Sequence, residues 1–172
     1  MTRIQPIDIA TAPTTVQDQL AAVKQLLGGV PNMFRTAARA PAVLDALVGL
    51  FAATARGNLP ASTREAIALA VAEVDGCDYC LAAHTVLGTR AGLAPGDLAA
   101  ARAGTGSPAA VLARALVETR GHVSDEQVAA ARAGGLGDRE LLEVVANVAL
   151  NVLTNYLNTL AATAIDFPAV PR

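Results

Sequence analysis

Apolar residues recur every three to four positions along most of this chain, and no stretch alternates with the period of two that marks a half-buried strand. The pattern predicts a first helix from about Thr15 to Leu27, closed by Gly28-Gly29. Pro31 opens a short helix through about Arg39, and Pro41 another to about Arg56 with Gly57 as its stop. Ser62 and Glu65 form a capping-box pattern ahead of Ile67, Leu69, Ala70, Val71 and Val74, and this helix halts at Asp75-Gly76. Cys77 opens the next, which reaches Ala91 and ends at Gly92. Pro95-Gly96-Asp97 begins a short helix, and Ser107-Pro108 one that extends to about Arg120. Ser124 and Gln127 make a second capping box before a helix ending at Gly134-Gly135. The longest helix runs from Asp138 to about Ala164 and is broken by Phe167-Pro168. Connections are short and no Ser/Gly linker divides the chain, so residues 1–172 read as a single all-α domain, a helical bundle with a long C-terminal helix.

Composition refines this picture. The 172 residues are 53% hydrophobic and 16% charged, which excludes disorder and implies extensive burial, part of it between subunits. Five aromatics are present (Phe34, Phe51, Tyr79, Tyr156, Phe167), so the core must be built from Ala, Leu and Val. A net charge of −2 and the scarcity of stacking aromatics argue against nucleic-acid binding. The N-terminus lacks an apolar run of signal-peptide length, which makes a cytoplasmic, reducing compartment the expectation. Val144 to Ile165 carries no charge and is long enough to suggest a membrane span. Asn147, Asn151, Asn155 and Asn158 recur through it with Thr154, however, and an amide stripe facing lipid is costly. The stripe must face another helix, a subunit or a pocket. Because buried amides pair well across symmetric contacts, a subunit interface is expected.

The two cysteines of the chain stand together as Gly76-Cys77-Asp78-Tyr79-Cys80-Leu81-Ala82-Ala83-His84. On a helix, positions 77, 80 and 84 share one face, which places an imidazole near thiols that react only as thiolates. Thiols two residues apart can also exchange into a disulfide with little backbone movement. Glu65 lies twelve residues before Cys77; with a tight turn at Asp75-Gly76, it falls level with Thr85 to Gly88 and within reach of His84. Backbone N–H groups and the helix dipole alone favour Cys77 as the thiolate. Cys77, Cys80 and His84 are also three plausible zinc ligands with His122 as a distant fourth, or an inert buried pair beside an ordinary helix histidine. His122 itself falls in a loop before an N-cap, Glu73 at a solvated helix end, and Tyr79 is expected to pack rather than to offer its hydroxyl to a ligand.

Arg64-Glu65-Ala66-Ile67-Ala68-Leu69, the Gly76-to-Thr85 segment, Thr154-Asn155-Tyr156-Leu157-Asn158 and Ile165-Asp166-Phe167-Pro168 together resemble the AhpD-like alkylhydroperoxidases of the carboxymuconolactone decarboxylase superfamily, peroxidase-related branch. The resemblance implies an AhpD-like helical fold with its redox core at about residues 60–92, assembling as a homo-trimer or homo-hexamer without metal or organic cofactor. It implies Cys80 as the reactive thiol, Cys77 as the resolving thiol, and Glu65 and His84 as the proton relay. The substrate would be a small hydroperoxide, and the reductant a dithiol from a lipoylated or thioredoxin-like protein. Tyr79 replaces a histidine of the founding peroxidase, and Asn158-Thr159 stands where many relatives carry Asn-His. Two other readings remain: a decarboxylase-like acid–base enzyme using His84 and Glu65, and a non-enzymatic redox sensor or oligomeric scaffold.

Overall fold

The computed structural model describes residues 1–170. A 3-10 turn at Ile9–Thr11 precedes α1 (Thr14–Leu27), α2 (Asn32–Ala37), α3 (Pro41–Ala55), α4 (Ala61–Asp75), α5 (Asp78–Arg90), α6 (Pro95–Arg102), α7 (Pro108–Glu118), α8 (Asp125–Ala133) and α9 (Asp138–Ala161). Among the described residues there is no strand, and no helix is long and apolar enough to cross a membrane.

α4 is the hub. Every residue from Ala66 to Ala72 is buried, because α5, α6, α7 and α9 all pack on it. The four alanines from Ala66 to Ala72 present no side chain longer than a methyl, which lets those helices approach closely. Leu69 contributes to a core shared with Leu20, Leu44, Leu47 and Leu81 on α1, α3 and α5. Ile67 and Val71 face a second core with Leu112, Ala131 and Val144 on α7, α8 and α9.

Helix starts and stops largely follow the local signals. Ser107 and Ser124 accept from Ala110 N and Gln127 N, and Gly28 and Gly76 close α1 and α4 in the left-handed conformation. Three expectations are corrected. The Ser62–Glu65 capping box does not form: α4 enters through Pro60 with no side-chain cap, because Glu65 instead meets His84 at 2.7 Å. α9 stops at Ala161, earlier than its apolar pattern suggests, with Ala162 at φ 48° and the N-terminal arm bonded to its end through Arg3 N–Ala161 O (2.7 Å). Glu73 is only partly solvated: its side chain is 32% exposed and paired with Arg102 of α6 at 2.7 Å.

Two long-range carboxylates tie loops to helices. Glu143 of α9 accepts from Asn58 N and Leu59 N, both at 2.9 Å, and so caps the entry to α4. A Cβ at Gly57 would lie 2.6 Å from that carboxylate, so a larger residue there would push Glu143 away from the two N–H groups. Asp166, beyond α9, accepts from Asn32 N (2.7 Å) and from the Tyr79 hydroxyl (2.8 Å), joining the C-terminal segment to α2 and α5.

Candidate active site

The site begins at the α4–α5 turn. Gly76 adopts φ 67°, which is favourable for glycine, and Cys77 N–H returns to Ala72 O at 3.0 Å. The chain is thereby reversed within two residues. Cys77 becomes the N-cap of α5, and its Sγ accepts from Cys80 N at 3.3 Å. Both cysteines are reduced and buried, 3% and 2% exposed.

The two sulfurs sit in different environments. The Cys77 thiol is held below its ordinary range by the Cys80 side chain that hydrogen-bonds to it, assisted by Cys80 N–H, the Thr159 hydroxyl and His84, against the opposing effect of burial. Burial pushes the Cys80 thiol up, reinforced by Cys77 and by the Asp75 carboxylate, with Asn158 acting in the other direction. The pair therefore loses its first proton from Cys77. Asp75, at the end of α4, is itself raised by burial, with Asn155 at 3.1 Å opposing.

One α5 turn beyond Cys80, His84 Nδ1 meets Glu65 Oε2 at 2.7 Å across the α4–α5 contact. A carboxylate on Nδ1 fixes that nitrogen as the protonated one and leaves Nε2 as the base. Gly88 marks the same level of the contact: a Cβ there would lie 3.7 Å from Glu65 Cβ. The structure thus brings Cys77, Cys80, His84 and Glu65 into one constellation.

Cys80 and His84 line a cavity of about 490 Å³, and Cys77 does not. Its walls are Val23 and Leu27 of α1, Met33 and Phe34 of α2, Val48 and Phe51 of α3, with Leu87 and Phe167. Polar groups are few: Gln25, Thr154, Asn158 and Tyr79 join the thiol and imidazole, and no Lys or Arg is among the described lining residues. The Tyr79 hydroxyl donates to Asp166 and accepts from Met33 N at 3.2 Å, its ring is edge-on to Phe167, and burial pushes its ionisation well above the usual phenol range.

The asparagine stripe does not reach the surface. Asn147 and Asn151 donate back to Glu143 O and Asn147 O of their own helix. Asn155 donates to Asp75, and Asn158 to Cys80 Sγ at 3.4 Å. All four are buried within the single chain, so the interface expectation is replaced by an internal stripe that ends at the thiol. The only sequence signal of that contact was an amide where helix packing alone would take leucine. Among the described residues no cluster of three or more His, Cys, Asp or Glu is arranged to hold a metal ion, and His122 is exposed before α8.

Residues 41–119 match the model of the carboxymuconolactone decarboxylase family, a span that holds Glu65, both cysteines and His84. Through this segment the chain is similar to the carboxymuconolactone decarboxylase family. Comparison with curated proteins finds no match. Among solved structures, the fold is shared with the debrominase Bmp8 (TM-score 0.81, 23% identity, 96% of this chain and 93% of that one). A variant of Bmp8 is also seen in complex with 2,3,4-tribromopyrrole. An AhpD-core, peroxidase-related protein of Ralstonia eutropha superposes with TM-score 0.76 at 20% identity over 99% and 98% of the two chains. A peroxidase-related protein of Silicibacter sp. gives 0.78 at 18%, over 94% and 91%. The fold is thus AhpD-like and all-helical.

Proposed function

We propose that the protein is a thiol-dependent oxidoreductase that reduces a small apolar hydroperoxide through Cys80 and Cys77. The observation carrying this reading is a reduced Cys-x-x-Cys pair of which one sulfur, Cys80, lines an apolar cavity beside the Glu65–His84 pair. In the resting pair the charge sits on Cys77, and proton transfer along the S–H···S contact moves it to Cys80. Cys80 thiolate attacks the terminal peroxide oxygen; the O–O bond breaks, the alcohol leaves with the proton that His84 Nε2 had taken from Cys77, and a sulfenic acid remains. Cys77 then displaces water from that sulfur to form the disulfide. An external dithiol, lipoylated or thioredoxin-like, returns two electrons and two protons by exchange.

The apolar cavity and the likeness to Bmp8 support a second reading on the same thiols, reductive dehalogenation of a small aromatic ring. One carbon–halogen bond is replaced by carbon–hydrogen, halide and a proton leave, and the two thiols become the disulfide. The lactone-decarboxylase reading is less favoured, because no Lys or Arg among the described lining residues would meet a substrate's carboxylates.

Self-association, the expected trimer or hexamer, is supported by the outer face of α9 beyond its charged first turn. Leu142, Val145, Leu153, Tyr156 and Leu160 are exposed there at heptad-like spacing.

Cumene hydroperoxide, hydrogen peroxide and a bromopyrrole, each with dihydrolipoamide as reductant, separate these readings when wild type is compared with Cys77→Ser and Cys80→Ser. Hydroperoxide consumption lost in both variants, with a sulfenic acid trapped on Cys77→Ser, is expected. Halide release without hydroperoxide consumption shifts the assignment to dehalogenation. Full activity in the double variant removes both thiol readings.

A further inference from the structure

We infer that Asn158 is a dedicated hydrogen-bond donor to the pocket-facing thiol, stabilising Cys80 as its anion. The four asparagines of α9 look equivalent along the sequence but differ in what they hold. Asn147 and Asn151 spend their amide hydrogens one turn back on their own helix. Asn158 Nδ2 leaves the helix and points to Cys80 Sγ at 3.4 Å, from a side chain 2% exposed.

Its Oδ1 is buried with no partner. A buried amide that leaves its acceptor unmatched is unfavourable where packing alone is required, and leucine would fill the same volume without that cost. The placement is therefore accounted for by the sulfur. Cys80 needs such a donor, because what else surrounds it does not favour its charge. Cys77 at the helix N-cap competes for the same proton, and Asp75 at the end of α4 repels a second anion. The imidazole of His84, on Cys80's own helix, is engaged through Nδ1 by Glu65 of α4. Tyr79, on the same helix, has its hydroxyl committed to Asp166. Asn158 is the neutral group from α9 that completes this environment, and it lines the cavity beside the thiol.

The inference takes Cys80 as the reacting sulfur, as in the reading above, but its test needs no turnover. In a Cys77→Ser background, thiolate absorbance near 240 nm and iodoacetamide alkylation of Cys80 are followed against pH for Asn158, Asn158→Leu and Asn158→His. Leucine keeps the volume and removes the donor, whereas the imidazole Nδ1–H restores a donor where the amide nitrogen was. The expected result is an upward shift of the Cys80 midpoint by about one pH unit in Asn158→Leu, read as roughly tenfold slower alkylation below the midpoint, with recovery in Asn158→His. An unchanged midpoint in Asn158→Leu overturns the proposal, and so does a shift that Asn158→His shows in full. Helicity by circular dichroism accompanies each variant, and Asn158→Ala replaces the leucine variant under the same criteria if that one does not fold. Wild type that consumes no peroxide would sink the functional reading while leaving this titration fully decisive for Asn158.

Discussion

His84 and Glu65 show how much chemistry one contact can organise. The carboxylate fixes the imidazole's orientation and tautomer, so Glu65→Gln keeps the side chain's shape while removing its charge. We expect kcat/KM to fall about 10- to 100-fold with little change in Tm, measured with whichever substrate the wild type turns over. Tyr79 makes a different prediction. Its ionisation is raised by burial above the ordinary value of 10.0. A group whose pKa is higher folded than unfolded contributes stability that is fully present below the unfolded value and lost as pH rises past it. Wild type should thus lose stability above about pH 10 through this residue. Tyr79→Phe should be about 1–2 kcal/mol less stable at pH 8, where it lacks the bonds to Asp166 and Met33, and the gap should narrow on raising the pH through 10. Urea unfolding of both proteins at pH 8 and pH 10.5 checks the sign.

At the scale of elements, α4 and α9 carry the largest consequences. Ala70 is fully buried where neighbouring helices close on α4. Ala70→Leu therefore forces apart helices that have no slack, and should cost about 3 kcal/mol or more, read from denaturant midpoints. Glu143 of α9 holds two backbone N–H groups at the start of α4. Glu143→Ala should cost about 2 kcal/mol, with Glu143→Gln recovering part of it through its remaining acceptor. The starts of α7 and α8 were legible in the sequence because Ser107 and Ser124 cap locally. The start of α4 misled because Glu65 had a stronger tertiary partner than the backbone of its own first turn. The end of α9 misled for a related reason. The apolar pattern continues past Ala161, but the N-terminal arm takes that residue's carbonyl from outside the helix.

At the scale of the molecule, the cavity and the outer face of α9 are two separate features of the bundle. The cavity draws walls from α1, α2, α3, α5 and α9, so its shape is a property of the assembled bundle. On the outer face, Tyr156 and Leu160 are 62% and 66% exposed. Leu160→Glu introduces a charge into that apolar stripe, and if the face joins copies of the chain, sedimentation velocity should show the assembly falling to smaller species. An unchanged assembly places the contact elsewhere.

Residue spacing by itself determined the all-helical class, the positions of the helices, and the proximity of Cys77, Cys80, His84 and Glu65. Those relations depend on a 3.6-residue period and a single tight turn at Gly76, both of which act over short separations. What the tertiary structure decided lies far apart in the chain. Asn158 meets Cys80 across 78 residues, and Tyr79 meets Asp166 across 87. No local rule distinguishes Asn158 from Asn147, since both occupy the same face of one helix. Their roles separate only where α9 crosses the thiol turn, because a buried amide bonds whatever polar atom the packing of another helix places before it.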